Sequence, residues 1–168
     1  MKVRVLEATL LSSNEFDEND DLIKLRDIYW WSRSRWAIGT NPTVYCVCLF
    51  DPKLDLMNTT VHDHPWYNPG WGEVWVVPVL KLEHNQAVRV GGKLAYAGHI
   101  FTVLRNDMAI CDTGLCQMGF RTEYDKTVPT ENEKYHEDVT NYASSDVKAF
   151  VDGWFSKNGD EADIIYMT

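Results

Sequence analysis

The sequence predicts an α+β fold: antiparallel strands, some of them closing a small barrel, and two main helices. Three observations carry this expectation. Between Ala87 and Gly114, short β-rich runs are separated by Gly91–Gly92, Ala97–Gly98, Arg105–Asn106–Asp107 and Asp112–Thr113–Gly114, breaks with the chemistry of tight turns. Two other stretches, about 21–36 and 145–158, space their apolar residues as helices do. The 168 residues are 45% hydrophobic and 12% aromatic, enough to bury a core.

The elements follow in chain order. "KVRVLEATLL" reads as a first strand. Glu7 interrupts its apolar run, which argues against a signal peptide and for a cytoplasmic protein, in the host cytoplasm if viral. No run reaches the roughly 18 apolar residues of a membrane span. "SSNEFDENDD" reads as an acidic loop that caps a helix from about Asp21 to Trp36, stopped by Gly39 and Pro42. "TVYCVCLF" is a strand, and "EVWVVPVLKLE" is another with Pro78 at an edge or bulge. The turn-punctuated segment follows, with Val88, Val90, Ile100 or Phe101, Val103 and Ile110 as its expected core. "SSDVKAFVDGWFSKNG" is a helix capped by Ser144 or Ser145, with Val147, Phe150, Val151, Trp154 and Phe155 as its apolar stripe. "ADIIYMT" is a last strand that pairs with the first. These elements divide into a mixed α/β region 1–85, a small barrel 86–126 and an acidic region 127–168 with one helix and the final strand.

The net charge of −9 is uneven. Residues 127–168 hold three basic and nine acidic side chains, hence −6. An acidic chain is a poor polyanion binder in bulk, because phosphate contacts supply most nonspecific affinity. Residues 22–36 run the other way, with Lys24, Arg26, Arg33 and Arg35 against Asp27 alone. In "DIYWWSRSRW" a helix places Leu22, Leu25, Ile28, Tyr29, Ser32 and Trp36 toward the core, and sets Trp30 and Trp31 beside Arg26, Arg33, Lys24 and Arg35. Two readings stay open. The tryptophans pack in the core under covering arginines, or they form a basic aromatic platform for nucleic acid or an acidic partner.

"VRVGGKLAYAGHIFTVLRNDMAICD" resembles the SH3-like small barrels, and most of all their KOW-type modules, over about residues 86–116. The shared features are "V-x-V-G-G-K", an "A-G" turn about six residues on, and "I-F-T-V-L" before a polar turn. The chain also looks like phage transcription modifiers of the MotB kind, which join an unusual N-terminal part to a KOW-like barrel. The resemblance implies a binding role for nucleic acid or for a protein of the transcription apparatus, through loops at Lys93, Tyr96, His99 and Arg105.

The rival chemistry is a metal site. His62 and His64 in "VHDHPW" stand two apart, as in the first motif of cupin enzymes, which the segment resembles. A cupin expects a glutamate three or four residues later, whereas Glu73 is nine residues on; His84 or His99 are the other candidate ligands. Cys46 and Cys48 with Cys111 and Cys116 offer a four-thiolate zinc alternative to four core cysteines. There is no phosphate-binding glycine loop or nucleophile elbow. The sequence therefore reads as a non-enzymatic binding or regulatory protein without a cofactor, a membrane partner or an indicated small-molecule ligand. Its expected binding residues are Lys24, Trp30, Trp31, Arg33, Arg35, Lys93, Tyr96 and Arg105. The alternatives are a cupin-like metal-dependent enzyme using His62 and His64, and a protein-binding module whose acidic tail imitates a polyanion.

Overall fold

The computed structural model describes residues 1–23, 25, 28, 30–37, 45–50, 59–60, 74–119 and 142–165. Within them the chain is mixed α and β. Strands β1 (Lys2–Thr9), β6 (Val79–Leu82), β7 (Lys93–Tyr96), β8 (His99–Arg105), β9 (Met108–Cys111) and β11 (Glu161–Ile165) form a closed antiparallel barrel in the order β1-β11-β7-β8-β9-β6. A second sheet has the order β10-β5-β2-β3-β4, with β2 (Trp30–Ala37), β3 (Tyr45–Phe50), β4 (Thr59–Thr60), β5 (Trp75–Val76) and β10 (Cys116–Gln117). Two α-helices are present among the described residues, α1 (Ser13–Asn19) and α2 (Asp146–Asn158).

The barrel follows from alternation. In β7, Leu94 and Tyr96 are buried while Lys93 and Ala95 are half-buried, the period of two that a sheet with one covered face requires. β9 is buried at all four residues, so both of its faces are covered. The hairpin β7–β8 turns at Ala97 and Gly98, with φ of 54° and 80°. Two successive positive φ values match the right-handed twist of the flanking strands. The Asn106–Asp107 turn joins β8 to β9 as expected. No helix lies between Val88 and Ile110, and Val88, Phe101, Val103 and Ile110 are buried. Val90 and Ile100 are not: they are 60% and 43% exposed. Val90 falls in the turn before Gly91, and Ile100 stands opposite Ala95 on the outer surface.

Barrel strands come from all three of the segments suggested by the sequence. Lys2 pairs with Asp163, so the last strand does join the first. The run "EVWVVPVLKLE" divides at Pro78: β5 belongs to the second sheet and β6 to the barrel. Proline lacks the amide that a continuous ladder needs, while its carbonyl accepts from the Cys111 amide at 3.0 Å. One core cluster includes barrel residues such as Leu80, Leu94 and Phe101 together with Trp30, Trp31 and Val76 of the second sheet.

α2 forms where the sequence indicates. Ser145 caps it by accepting from the Lys148 amide at 3.0 Å, and Gly159 ends it. Val147 and Val151 are buried, and Trp154 and Phe155 pack against the core. The helix expected to run to Trp36 is not what the described residues form: after a single 3-10 turn at Asp20–Leu22, Trp30–Ala37 is strand β2, facing β3. The helix lies earlier, inside the stretch expected to be a loop. Ser12 accepts from the Glu15 amide at 3.1 Å, and the Ser12 amide donates to Glu15 Oε1 at 3.0 Å. This reciprocal box satisfies two otherwise orphaned amides and nucleates α1. β2 prevails over the helical spacing because bulky aromatic residues gain more from cross-strand packing than from a helix.

Candidate functional site: a basic cluster around Glu15

Three cations from three elements meet one carboxylate. Arg33 Nη1 lies 2.8 Å from Glu15 Oε1, Lys81 Nζ 3.1 Å from Oε2, and Arg105 Nη2 3.7 Å from Oε2. The Glu15 side chain is 11% exposed, against 31% for Arg33, 26% for Lys81 and 40% for Arg105. The carboxylate is thus the buried hub, and the cations form a half-exposed rim.

Strand irregularities place two of them. The β2–β3 register shifts between Trp31 and Arg35. In this bulge the Arg33 amide leaves the sheet and donates to the Leu11 carbonyl at 3.1 Å. Its guanidinium also reaches the Leu10 carbonyl, 3.3 Å from Nη1. A second shift, between Val103 and Arg105, sets Arg105 opposite Met108 at the end of β8. Bulges re-aim side chains in this way. Lys81 stands opposite Met108 in the ladder with β9 and opposite Glu7 in that with β1. Met108 Sδ lies 3.6 Å from Lys81 Nζ and 3.7 Å from Arg105 Nη2, a weak acceptor shared by both. Asp107 Oδ1 accepts from Arg105 Nε at 3.1 Å.

Burial alone would push the Glu15 carboxyl up. The Ser12 amide and the charges of Arg33 and Lys81 outweigh it and hold the pKa below its ordinary value. A carboxylate with a lowered folded pKa stabilises the fold above its unfolded pKa of about 4.3, and that contribution disappears as pH falls through the lower folded value. Chemical denaturation at neutral and acid pH is therefore expected to show an acid loss that Glu15→Gln reduces. At neutral pH the variant is expected to cost about 2 kcal/mol, the scale of charged hydrogen bonds. An unchanged acid loss in the variant would deny Glu15 this role.

The expected binding residues divide. Arg33 and Arg105, far apart in sequence, are brought together. Lys93 is elsewhere on the barrel: its Nζ donates to Thr102 Oγ1 at 2.7 Å and to Asp112 Oδ2 at 2.9 Å, while Thr102 also bonds Asp112. Trp30 and Trp31 are 1% and 0% exposed, so neither indole is offered to a base or a partner. Both tryptophans belong to the core cluster. Tyr96 is 3% exposed, its ring packed against Phe101 and Trp154 and its hydroxyl donating to the carbonyl of Gly159 at 2.7 Å. Arg35 is placed by its backbone, opposite Val47. Lys24, His62 and His64 lie outside the described residues.

Lys81 and Glu15 were not anticipated. Their signals are Ser12-x-x-Glu15, a capping-box pattern, and a lone lysine within an apolar strand. Among the described residues, no group of three His, Cys, Asp or Glu side chains is placed to hold a metal ion. Burial pushes the Cys111 and Cys116 thiols up, the opposite of what a nucleophilic cysteine needs. No described helix is long and apolar enough to cross a membrane. The chain matches no protein-family model, and no significant match is found among curated proteins or solved structures.

Proposed function

We propose that this is a non-enzymatic nucleic-acid-binding protein that acts on transcription, with Arg33, Lys81 and Arg105 as its phosphate-contacting face and the barrel as an SH3-like, KOW-type scaffold. The observation that carries the reading is the convergence of these three half-exposed cations on a single buried carboxylate. Among the described residues, both side-chain contacts of Arg33 use Nη1. A guanidinium fork is suited to a phosphate.

The test is fluorescence anisotropy with labelled single- and double-stranded oligonucleotides, between about 50 and 200 mM salt. Affinity is expected to fall steeply with salt. Arg33→Ala with Arg105→Ala is expected to flatten the log–log slope by about two, since each lost phosphate contact removes roughly one. The double variant leaves Glu15 its bonds to Lys81 and the Ser12 amide, so it is expected to remain folded, which thermal melting checks. Absence of binding at the lower salt, or equal slopes for the two proteins, sinks the reading. An acidic protein surface would then be the next ligand class to test.

A further inference from the structure

We propose that Glu15 is an internal stand-in for phosphate: it occupies the cation cluster in the free protein, and a backbone phosphate takes over Arg33 and Arg105 when nucleic acid binds. This rests on the nucleic-acid reading above and adds a brake to the same site.

The stoichiometry of donors and acceptors motivates it. Glu15 has two oxygens for three cations. Oε1 is taken by the Ser12 amide and Arg33, at 3.0 and 2.8 Å. Oε2 is taken by Lys81 at 3.1 Å. Arg105, at 3.7 Å, is within ion-pair reach but too far for a hydrogen bond. It is also the most exposed of the three, at 40%. A backbone phosphodiester brings two further anionic oxygens to the cluster. It can therefore engage the outer arginines while Glu15 keeps Lys81.

Glu15 is fixed for this role from its own side. The capping box ties its amide and one carboxylate oxygen to Ser12, so the carboxylate stays in place when an arginine swings outward. Two other carboxylates border the cluster. Asp107 holds Arg105 Nε, and Glu7 stands opposite Lys81 in the ladder. Among the described residues, Glu15 is the only carboxylate paired with Arg33. The side chain that assembles the cations is thus also the charge that opposes an incoming phosphate. Preassembly favours binding by limiting reorganisation, while like-charge opposition disfavours it.

Glu15→Gln keeps the shape and removes the charge, so it separates the two effects. The probe is a labelled oligothymidylate of about 15 nucleotides, with wild type, Glu15→Gln and Arg33→Ala/Arg105→Ala measured in parallel by anisotropy. Glu15→Gln is expected to bind about tenfold more tightly, the scale of one charge a few ångströms from the phosphate, with a salt slope steeper by about one. Equal or weaker binding by Glu15→Gln overturns the brake, while the arginine double variant still decides the nucleic-acid reading. Failure of both wild type and Glu15→Gln to bind overturns both. Binding by Glu15→Gln alone, with none by the wild type at the lower salt, also overturns both, because the native protein would then not be a nucleic-acid binder. Thermal melting checks that each protein is folded. If Glu15→Gln does not fold, Glu15→Asp replaces it, because the shorter side chain keeps the charge but draws the oxygens back from the arginines. Tighter binding by Glu15→Asp is then expected, and none sinks the proposal.

Discussion

Trp31→Ala is expected to cost about 3–5 kcal/mol of stability, the range for removing a large aromatic side chain from a core, and to leave unchanged, in the folded fraction, the nucleic-acid affinity we propose. The indole is fully buried, and its Nε1 donates to the Met118 carbonyl at 2.8 Å. This bond ties β2 to the chain just beyond β10, at the far side of β5 in the second sheet. Truncation removes the packing and also leaves a carbonyl without its donor. Trp31→Phe keeps much of the packing and loses the bond, so it is expected to fall between wild type and Trp31→Ala. Urea denaturation measures all three. A variant that melts like wild type but loses binding would instead return Trp31 to the role of a stacking platform.

The second large effect is expected at Tyr96. Its ring meets Trp154 edge-on, with centroids 5.3 Å apart, and Phe101 at 6.2 Å. Its hydroxyl donates to the carbonyl of Gly159, the residue that ends α2. Desolvation, reinforced by Asp160, pushes the phenol pKa up, so the hydroxyl stays a donor. Tyr96→Ala is expected to cost about 3–5 kcal/mol, and Tyr96→Phe about 1 kcal/mol, the net value of one hydrogen bond. The difference between them measures the aromatic seam between barrel and helix. Equal effects for the two variants would show that the hydroxyl, and not the ring, attaches α2.

Much of the barrel was legible in the sequence, because its cues are local. The Ala97–Gly98 turn, the Asn106–Asp107 turn and the alternation around them depend on neighbouring residues. The α2 stripe and its Ser145 cap are local in the same sense. The N-terminal half was misread where two local cues competed. Leu22, Leu25, Ile28 and Tyr29 have helical spacing, and this drew "WWSRSRW" into the same helix, although those residues pair with β3. The acidic stretch "SSNEFDENDD" looked like solvent-facing loop, yet its Ser12–Glu15 box starts α1. The cation cluster was only half visible. Arg33 and Arg105 stood out as cations, but nothing local shows that two bulges aim them at one carboxylate. Nor does composition distinguish a surface tryptophan from Trp31, since the Met118 carbonyl that receives its proton is distant in sequence.

The pairing of Lys2 with Asp163 also governs when the barrel can exist. As a nascent chain leaves the ribosome from its N-terminus, β1 emerges early, but one of its two barrel neighbours, β11, is made more than 150 residues later. Until then the edges of β1 and β7 lack their shared partner. Closing so long a loop is slow relative to forming local hairpins, so β7–β8–β9 can assemble before β11 is made, while the ring itself closes only once β11 has emerged. Nascent chains stopped before β11 would carry two open strand edges, the form most exposed to wrong pairing with another chain.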